Sequence, residues 1–245
     1  MRICGITDIG CVRNENQDTF RNIVKSNKGF GLVCDGMGGP RGGKVASGYA
    51  ADIIFSVISE NLEKMNCEKF KEAFLNAVTK ANDRIIKAAE DDETYAGMGT
   101  TAVAAFVEDR KCVVANVGDS RAYYYAEDKM AQVSHDHSMV QELVDEGKIT
   151  ADEAKNHPNR NIITRAVGAY DSVNVDFFEF DISDDGIVML CSDGLTNMLD
   201  ESEILFELDV TTDVAECANT LVEMAKHRGG DDNITVLLIS VSEEV

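Results

Sequence analysis

Apolar residues recur along this chain with two different periods, and each period comes in runs. Residues 2–8 read as a first strand, followed over 12–18 by a polar loop dense in groups that hydrogen-bond or bind ions. Residues 30–34 read as a short buried strand that ends at Asp35. The spacing then becomes helical over 43–62, with Ala46, Ala50, Ile53, Ile54, Val57 and Ile58 on one stripe. A second helix over about 68–90 turns Phe70, Phe74, Ala77, Val78, Ala81, Ile85 and Ala88 inward. A short polar turn near Asn66 joins the two, so they pack antiparallel.

Strand signals cluster next, over 100–107, 111–117, 121–126 and 130–134. Their links are short and polar, which implies antiparallel hairpins and not crossovers. Ser138 starts an amphipathic helix through about Glu146, with Gly147 as its stop, and Thr150 with Glu153 has the form of a capping box. A polar loop over 157–161 follows. The segment 138–168 is expected to form a mobile flap. Strands over 173–180 and 186–191, helices over 201–208 and 212–228, and a strand over 233–241 complete the pattern. Strands and helices come in separate runs, so the class is α+β. The expected architecture is an α-β-β-α sandwich, two packed antiparallel sheets flanked by antiparallel helix pairs. With two prolines and no Ser/Gly-rich linker, one domain over 1–245 is expected.

Charge narrows the function. The formal net charge is −21, from 23 basic and 44 acidic residues. That argues against nucleic acid and against an anionic membrane surface, both of which need a basic face. Seven cysteines, an odd number without a Cys-x-x-Cys pair, fit a reduced compartment and neither a disulfide framework nor a zinc ribbon. No uncharged apolar run is long enough to span a bilayer, and the N-terminus lacks a signal peptide's apolar core. A soluble cytoplasmic protein, with no membrane partner, is expected.

The candidate chemistry lies in acidic residues beside glycines at strand ends. These are Asp35-Gly36, Gly118-Asp119, Asp193-Gly194 and Gly230-Asp231-Asp232, with Asp18 in the first polar loop. Any one of them alone would be read as a turn or cap residue. If four such ends converge, several carboxylates share one cleft, and like charges that close need a cation. Hard divalent ions with oxygen ligands, Mg²⁺ or Mn²⁺, answer that need. Two such ions can activate a water for attack on a phosphoester. Competing motifs fall short. Residues 38–44 nearly spell a P-loop, but Val45 stands where a Ser or Thr should bind Mg²⁺, and Pro40 removes a backbone donor. His135 and His137 lack a third zinc ligand nearby, so hydrogen bonding is expected of them. No Cys precedes an Arg at the spacing of cysteine-dependent phosphatases, and no Gly-x-Ser-x-Gly elbow occurs. Tyr123-Tyr124-Tyr125 alternates along a strand and is expected to pack the sheet.

The ordered motifs of the whole chain resemble the metal-dependent protein phosphatases (PPM, or type 2C, Ser/Thr phosphatases) in their compact bacterial form. They are Arg13-x-x-Asn16-Gln17-Asp18, Asp35-Gly-Met-Gly-Gly39, Gly99-Thr100-Thr101 and Asn116-Val-Gly-Asp119-Ser-Arg121. Asp136-His137-Ser138, Ile163-Thr-Arg-Ala-Val-Gly168, Ser192-Asp-Gly-Leu195 and Asp232-Asn-Ile-Thr235 follow. The resemblance implies that Asp35 bridges two metals and that the Gly36 carbonyl ligates one of them. It implies that Asp193 and Asp232 complete the other ion's shell, and that Asp18 holds metal-bound water. Arg13 would grip the substrate phosphate, and Asp119 with Asp193 would hold a third, weaker ion. The family's flap would correspond to 138–168. Two departures stand out. Met37 occupies a position where many eukaryotic members have a His proposed as general acid, although bacterial members commonly carry Met. Gln17 stands where many members have Glu, which removes one negative charge near the metals.

The expected function is that of an Mg²⁺/Mn²⁺-dependent protein Ser/Thr phosphatase, in which a hydroxide between the metals attacks phosphorus without a phosphoenzyme. Its expected partners are phosphorylated proteins, a Ser/Thr kinase among them, and the protein is expected to act as a monomer. The alternatives are a non-catalytic pseudophosphatase that binds metal or partners, and a two-metal hydrolase of another phosphoester such as a nuclease. The retained carboxylates disfavour the first and the charge of −21 the second.

Overall fold

The computed structural model describes residues 1–241, so the last four residues of the expected domain lie outside the described residues. The strands and helices run β1 (Arg2–Asp8), β2 (Asp18–Lys25), β3 (Lys28–Met37), α1 (Gly39–Asn61), α2 (Cys67–Asp91), β4 (Gly99–Thr100), β5 (Ala102–Glu108) and β6 (Lys111–Val117). They continue as β7 (Arg121–Ala126), β8 (Lys129–Gln132), α3 (Met139–Asp145), α4 (Ala151–Lys155), β9 (Asp176–Asp181), β10 (Ile187–Cys191), α5 (Asp193–Thr196), α6 (Glu201–Val210), α7 (Val214–His227) and β11 (Ile234–Ser240).

Two antiparallel sheets stack face to face, in the orders β1-β11-β10-β7-β8 and β2-β3-β5-β6-β9, with β4 paired to β3. The period-2 rule explains the layers. On β5, Ala102, Ala104 and Phe106 face α1 and α2, while Val103, Ala105 and Val107 face the other sheet. On β11, Leu237 and Ile239 meet that inner layer, and Val236 and Leu238 face α6 and α7. Each central strand is covered on both faces, so it reads as a continuous apolar run and not as an alternation. The outcome is three apolar layers in an α-β-β-α sandwich, as the sequence pattern implies. Tyr123 and Tyr124 enter opposite layers, which confirms their packing role.

The structure corrects the sequence pattern in two places that matter for the site. First, residues 18–25 form a strand, β2, that the apolar pattern does not mark. It lies at a sheet edge, and its side chains are mostly half-buried, so no strong period appears. Second, β3 does not stop at Asp35 but runs on through Met37, pairing Gly36 with Thr100 and Met37 with Gly99. Asp35 is therefore an in-strand residue, paired with Asp18 on one side and hydrogen-bonded to Thr101 on the other. Smaller differences are the start of α1 at Gly39 and of β9 at Asp176.

Candidate active site

Strand register brings distant residues together. Asp18 lies directly opposite Asp35 in the β2–β3 pair. In the other sheet Cys191 is paired with both Val236 and Arg121. Asp193 just after β10, Asp232 just before β11 and Asp119 just before β7 therefore sit at one edge. Stacking of the sheets sets that edge against the end of β3. Arg13, Asp35, Gly36, Asp119, Asp193 and Asp232 all line one cleft of about 690 Å³. Asp18 does not line it. It is buried, 6% exposed, among hydroxyls.

The carboxylates are held by a polar frame whose members the sequence motifs contained without revealing their tasks. Asp18 Oδ2 accepts hydrogen bonds from Ser192 Oγ and Thr235 Oγ1, each at 2.7 Å. Asp18 Oδ1 is buried and has no hydrogen-bond partner among the described residues. Thr101 Oγ1 accepts from the Asp35 amide at 2.9 Å, and Thr100 Oγ1 donates to the Asp35 carbonyl at 2.8 Å. Asn233 ties the first loop to β11, accepting from the Gln17 amide and donating to the carbonyls of Ile9 and Glu15. Asn197 Nδ2 donates to Asp193 Oδ2 at 3.0 Å. Gly36 has no room for a side chain, since a Cβ would lie 2.1 Å from the Gly43 carbonyl oxygen. Gly194 is equally constrained, at 2.0 Å from the Asn233 carbonyl oxygen.

Electrostatics set these aspartates apart. Loss of hydration is the main cause raising the pKa of Asp18, Asp35, Asp119 and Asp193, and neighbouring carboxylates raise them further. Asp18 is pushed up to about 7 and Asp119 to about 8. Four aspartates, Asp18, Asp193, Asp119 and Asp232, all act on Asp35. Asp35, Asp119 and Asp193 keep part of their surface open to the cleft.

Such groups are either protonated or neutralised by a cation. An all-oxygen donor set suits Mg²⁺ or Mn²⁺, and ions of this class keep several waters and take few carboxylates each. Among the described residues no three His, Cys, Asp or Glu side chains form a ready-made cage. A water-rich site with few protein ligands is the arrangement that fits.

The remaining candidates are placed as follows. Arg13 Nη2 donates to Asp232 Oδ2 at 2.7 Å from the rim, with half its side chain exposed. Gln17 Nε2 donates to the Gly39 carbonyl at 3.0 Å, a bond that a carboxylate could not make. Met37 lines the cleft. His135 and His137 take the hydrogen-bonding roles expected of them. His135 pairs with Asp145 at 2.7 Å. His137 Nδ1 accepts from the Gly118 amide at 2.9 Å, and its Nε2 lies 3.0 Å from Asp176 Oδ2.

Comparison with known proteins agrees with this geometry. The family model described as Protein phosphatase 2C matches residues 12–230. The chain is 39% identical over 236 residues to "Serine/threonine phosphatase stp" of Listeria innocua, covering 95% of this chain and 93% of that one. The crystal structure of Stp1 from Staphylococcus aureus superposes with a TM-score of 0.89 at 33% identity, over 98% of this chain and 95% of that one. The catalytic domain of the serine threonine protein phosphatase PstP, in complex with 2 manganese ions, gives 0.85 at 30% identity, over 99% and 98%. On these grounds the chain belongs to the protein phosphatase 2C family.

Proposed function

We propose that Asp35, the Gly36 carbonyl, Asp193 and Asp232 hold two divalent cations, Mn²⁺ or Mg²⁺, and that Asp119 with Asp193 holds a third, weaker one. Membership of the family makes the chain a metal-dependent serine/threonine phosphatase. Its substrates are phosphoserine and phosphothreonine in proteins, a Ser/Thr kinase among them, and it works as a monomer. Residues 1–245 act as one catalytic unit, with 138–168 as a flap beside the cleft. The observation that carries the metal assignment is the gathering of four carboxylates in one cleft, backed by the partnerless Asp18 Oδ1. The two manganese ions of PstP support the number two.

When bound, the ions supply Lewis acidity and a water nucleophile. The chain's own residues do the rest. Arg13 keeps free N–H donors beyond its bond to Asp232, and a planar guanidinium suits phosphoryl oxygens. Asp18, fixed through Oδ2 by Ser192 and Thr235, leaves Oδ1 to orient a water and take up its proton. Burial keeps the nearby Cys191 thiol up at about 12 and raises that of Cys34 further, so neither supplies a thiolate. Hydrolysis proceeds without a phosphoenzyme.

The test is turnover of a phosphothreonine peptide by purified protein in Mn²⁺. Hydrolysis should cease in EDTA and return with Mn²⁺. Asp35→Asn and Asp193→Asn should each lower kcat/KM by about 100-fold or more, beyond the 10–100-fold typical of outer partners. Phosphopeptide binding without any hydrolysis would instead identify a non-catalytic module.

A further inference from the structure

A second groove of about 820 Å³ continues from the active-site cleft. Asp119, Asp193 and Arg160 line both cavities, so the two form one channel beneath the 138–168 segment. The walls of the continuation differ. One side is formed by α3 and α4, where the half-buried Val140, Val144 and Ala154 lie among the polar Gln141, Lys155 and Asn156. The other is the entry to α6, where Leu199 is buried and Asp200 and Glu201 are exposed.

The charges of this groove do not cancel locally. Arg121 is committed to Asp136 through three contacts of 2.7–3.1 Å. Lys155 lies 3.7 Å from Asp152. Asp200 lies at the N-cap of α6, in a capping box with Glu203. The Glu201 side chain has no hydrogen bond or ion pair among the described residues. The far end of the groove is therefore acidic with an unengaged carboxylate, and Arg160 stands at the junction with the cleft.

Half-buried aliphatic groups facing an acidic edge across one groove fit a particular side chain. Lys and Arg lay an aliphatic stem on apolar surface and keep the charged head at the polar edge. We propose that this groove receives the stretch of substrate polypeptide beside the phosphoresidue, and that Glu201 selects a Lys or Arg in it. The inference rests on the phosphatase reading above and adds a preference for basic flanks. Glu201 is a specificity residue in this scheme, remote from the reacting atoms.

The experiment compares matched phosphothreonine peptides that carry Lys or Glu at single flanking positions, in Mn²⁺ at low salt. The readout is the ratio of kcat/KM for the Lys peptide over the Glu peptide within each enzyme, so changes in overall activity cancel. The wild-type ratio at the responsive position should be about three- to fivefold, the size of one exposed ion pair, and should shrink with added salt. Glu201→Gln should bring it near one, and Glu201→Lys below one. Glu90→Lys makes the same charge change on the exposed face of α2, away from the groove, and should leave the ratio as in wild type. A wild-type ratio of one at every position, or equal ratios in wild type and Glu201→Lys, overturns the proposal. Turnover of p-nitrophenyl phosphate without any peptide turnover overturns the groove but not the chemistry. No turnover of either overturns the function on which it rests.

Discussion

Two groups of acidic side chains lie side by side in this protein and are treated in opposite ways. At the base of the 138–168 segment, Asp136 meets Arg121 at 2.7 Å and Gln132 at 2.8 Å. Asp176 there meets Arg165 at 2.6 Å and His137 at 3.0 Å. In the cleft, Asp35, Asp119 and Asp193 face one another, and among the described residues Arg13 pairs with Asp232 alone. Register places the two groups next to each other, since Arg121 is paired with Cys191, two residues before Asp193. An aspartate whose partners are side-chain cations is finished as structure. An aspartate whose neighbours are other aspartates lacks a positive partner, and a metal ion is the partner that fits.

The largest test of that contrast is a pair of charge removals. Asp35→Asn should cost about 100-fold or more in kcat/KM, yet the metal-free protein should melt no lower, because a like-charge repulsion has been relieved. Asp136→Asn should do the reverse in stability. Breaking a buried ion pair costs about 3–5 kcal/mol, and about 2–4 is expected here because Arg121 keeps a third of its side chain exposed. Thermal melts in EDTA, alongside kinetics in Mn²⁺, read both. A Asp35→Asn variant that melts well below wild type in EDTA would break the comparison.

Removing the hydroxyl that aims Asp18 comes next. Ser192→Ala should lower kcat/KM by about 10–100-fold, the usual effect of an outer partner, with about 1 kcal/mol lost in stability. A drop in stability without one in activity would make Asp18 purely structural.

The two groups should also respond oppositely to pH in EDTA. The cleft aspartates have raised pKa values when folded, so the folded state binds their protons more tightly than the unfolded chain. That contribution is complete below about 4 and is lost as pH rises through about 7 for Asp18 and about 8 for Asp119. At the base of the 138–168 segment, burial lowers the pKa of His137. Burial raises that of Asp176, but its bonds to His137 and Arg165 outweigh this and leave it below the ordinary range. Both contributions there are present at neutral pH. That of His137 fades as pH falls below about 6.5, and that of Asp176 only below about 4. Denaturant melts from pH 4 to 9 should show the alkaline loss in EDTA and its suppression by Mn²⁺. The smallest effect is expected from Gln17→Glu, which loses the bond to Gly39 and adds a negative charge. Mn²⁺ affinity should rise by less than about tenfold, for which titration calorimetry is the check.

Particular residues show how far the sequence could be read. Phe70, Phe74, Ala77, Val78 and Ala81 recur at helical spacing, and all are buried against the sheet. Asp35, Asp119, Asp193 and Asp232 were marked by adjacent glycines, and they line one cleft. Strand β2 escaped because an edge strand with half-buried faces carries no strong period. Ser192, Thr235 and Asn233 stood in visible motifs, but a hydroxyl or amide has many available partners and its sequence neighbours do not name the one it takes.

By itself, the sequence determined the layers, since side-chain periodicity is a local property that each segment carries with it. It also determined which residue types are present for chemistry. Only the tertiary structure decided that Asp18 faces Asp35, that one oxygen of Asp18 is satisfied and the other is not, and that Asp136 has an arginine partner while Asp193 has Asn197 and no cation among the described residues. Those are matters of register and of contacts that run from Arg121 with Asp136, 15 residues apart, to Asp18 with Ser192, 174 apart. The folded chain alone fixes such distances, and the energy of a carboxylate depends on what stands within a few ångströms of it.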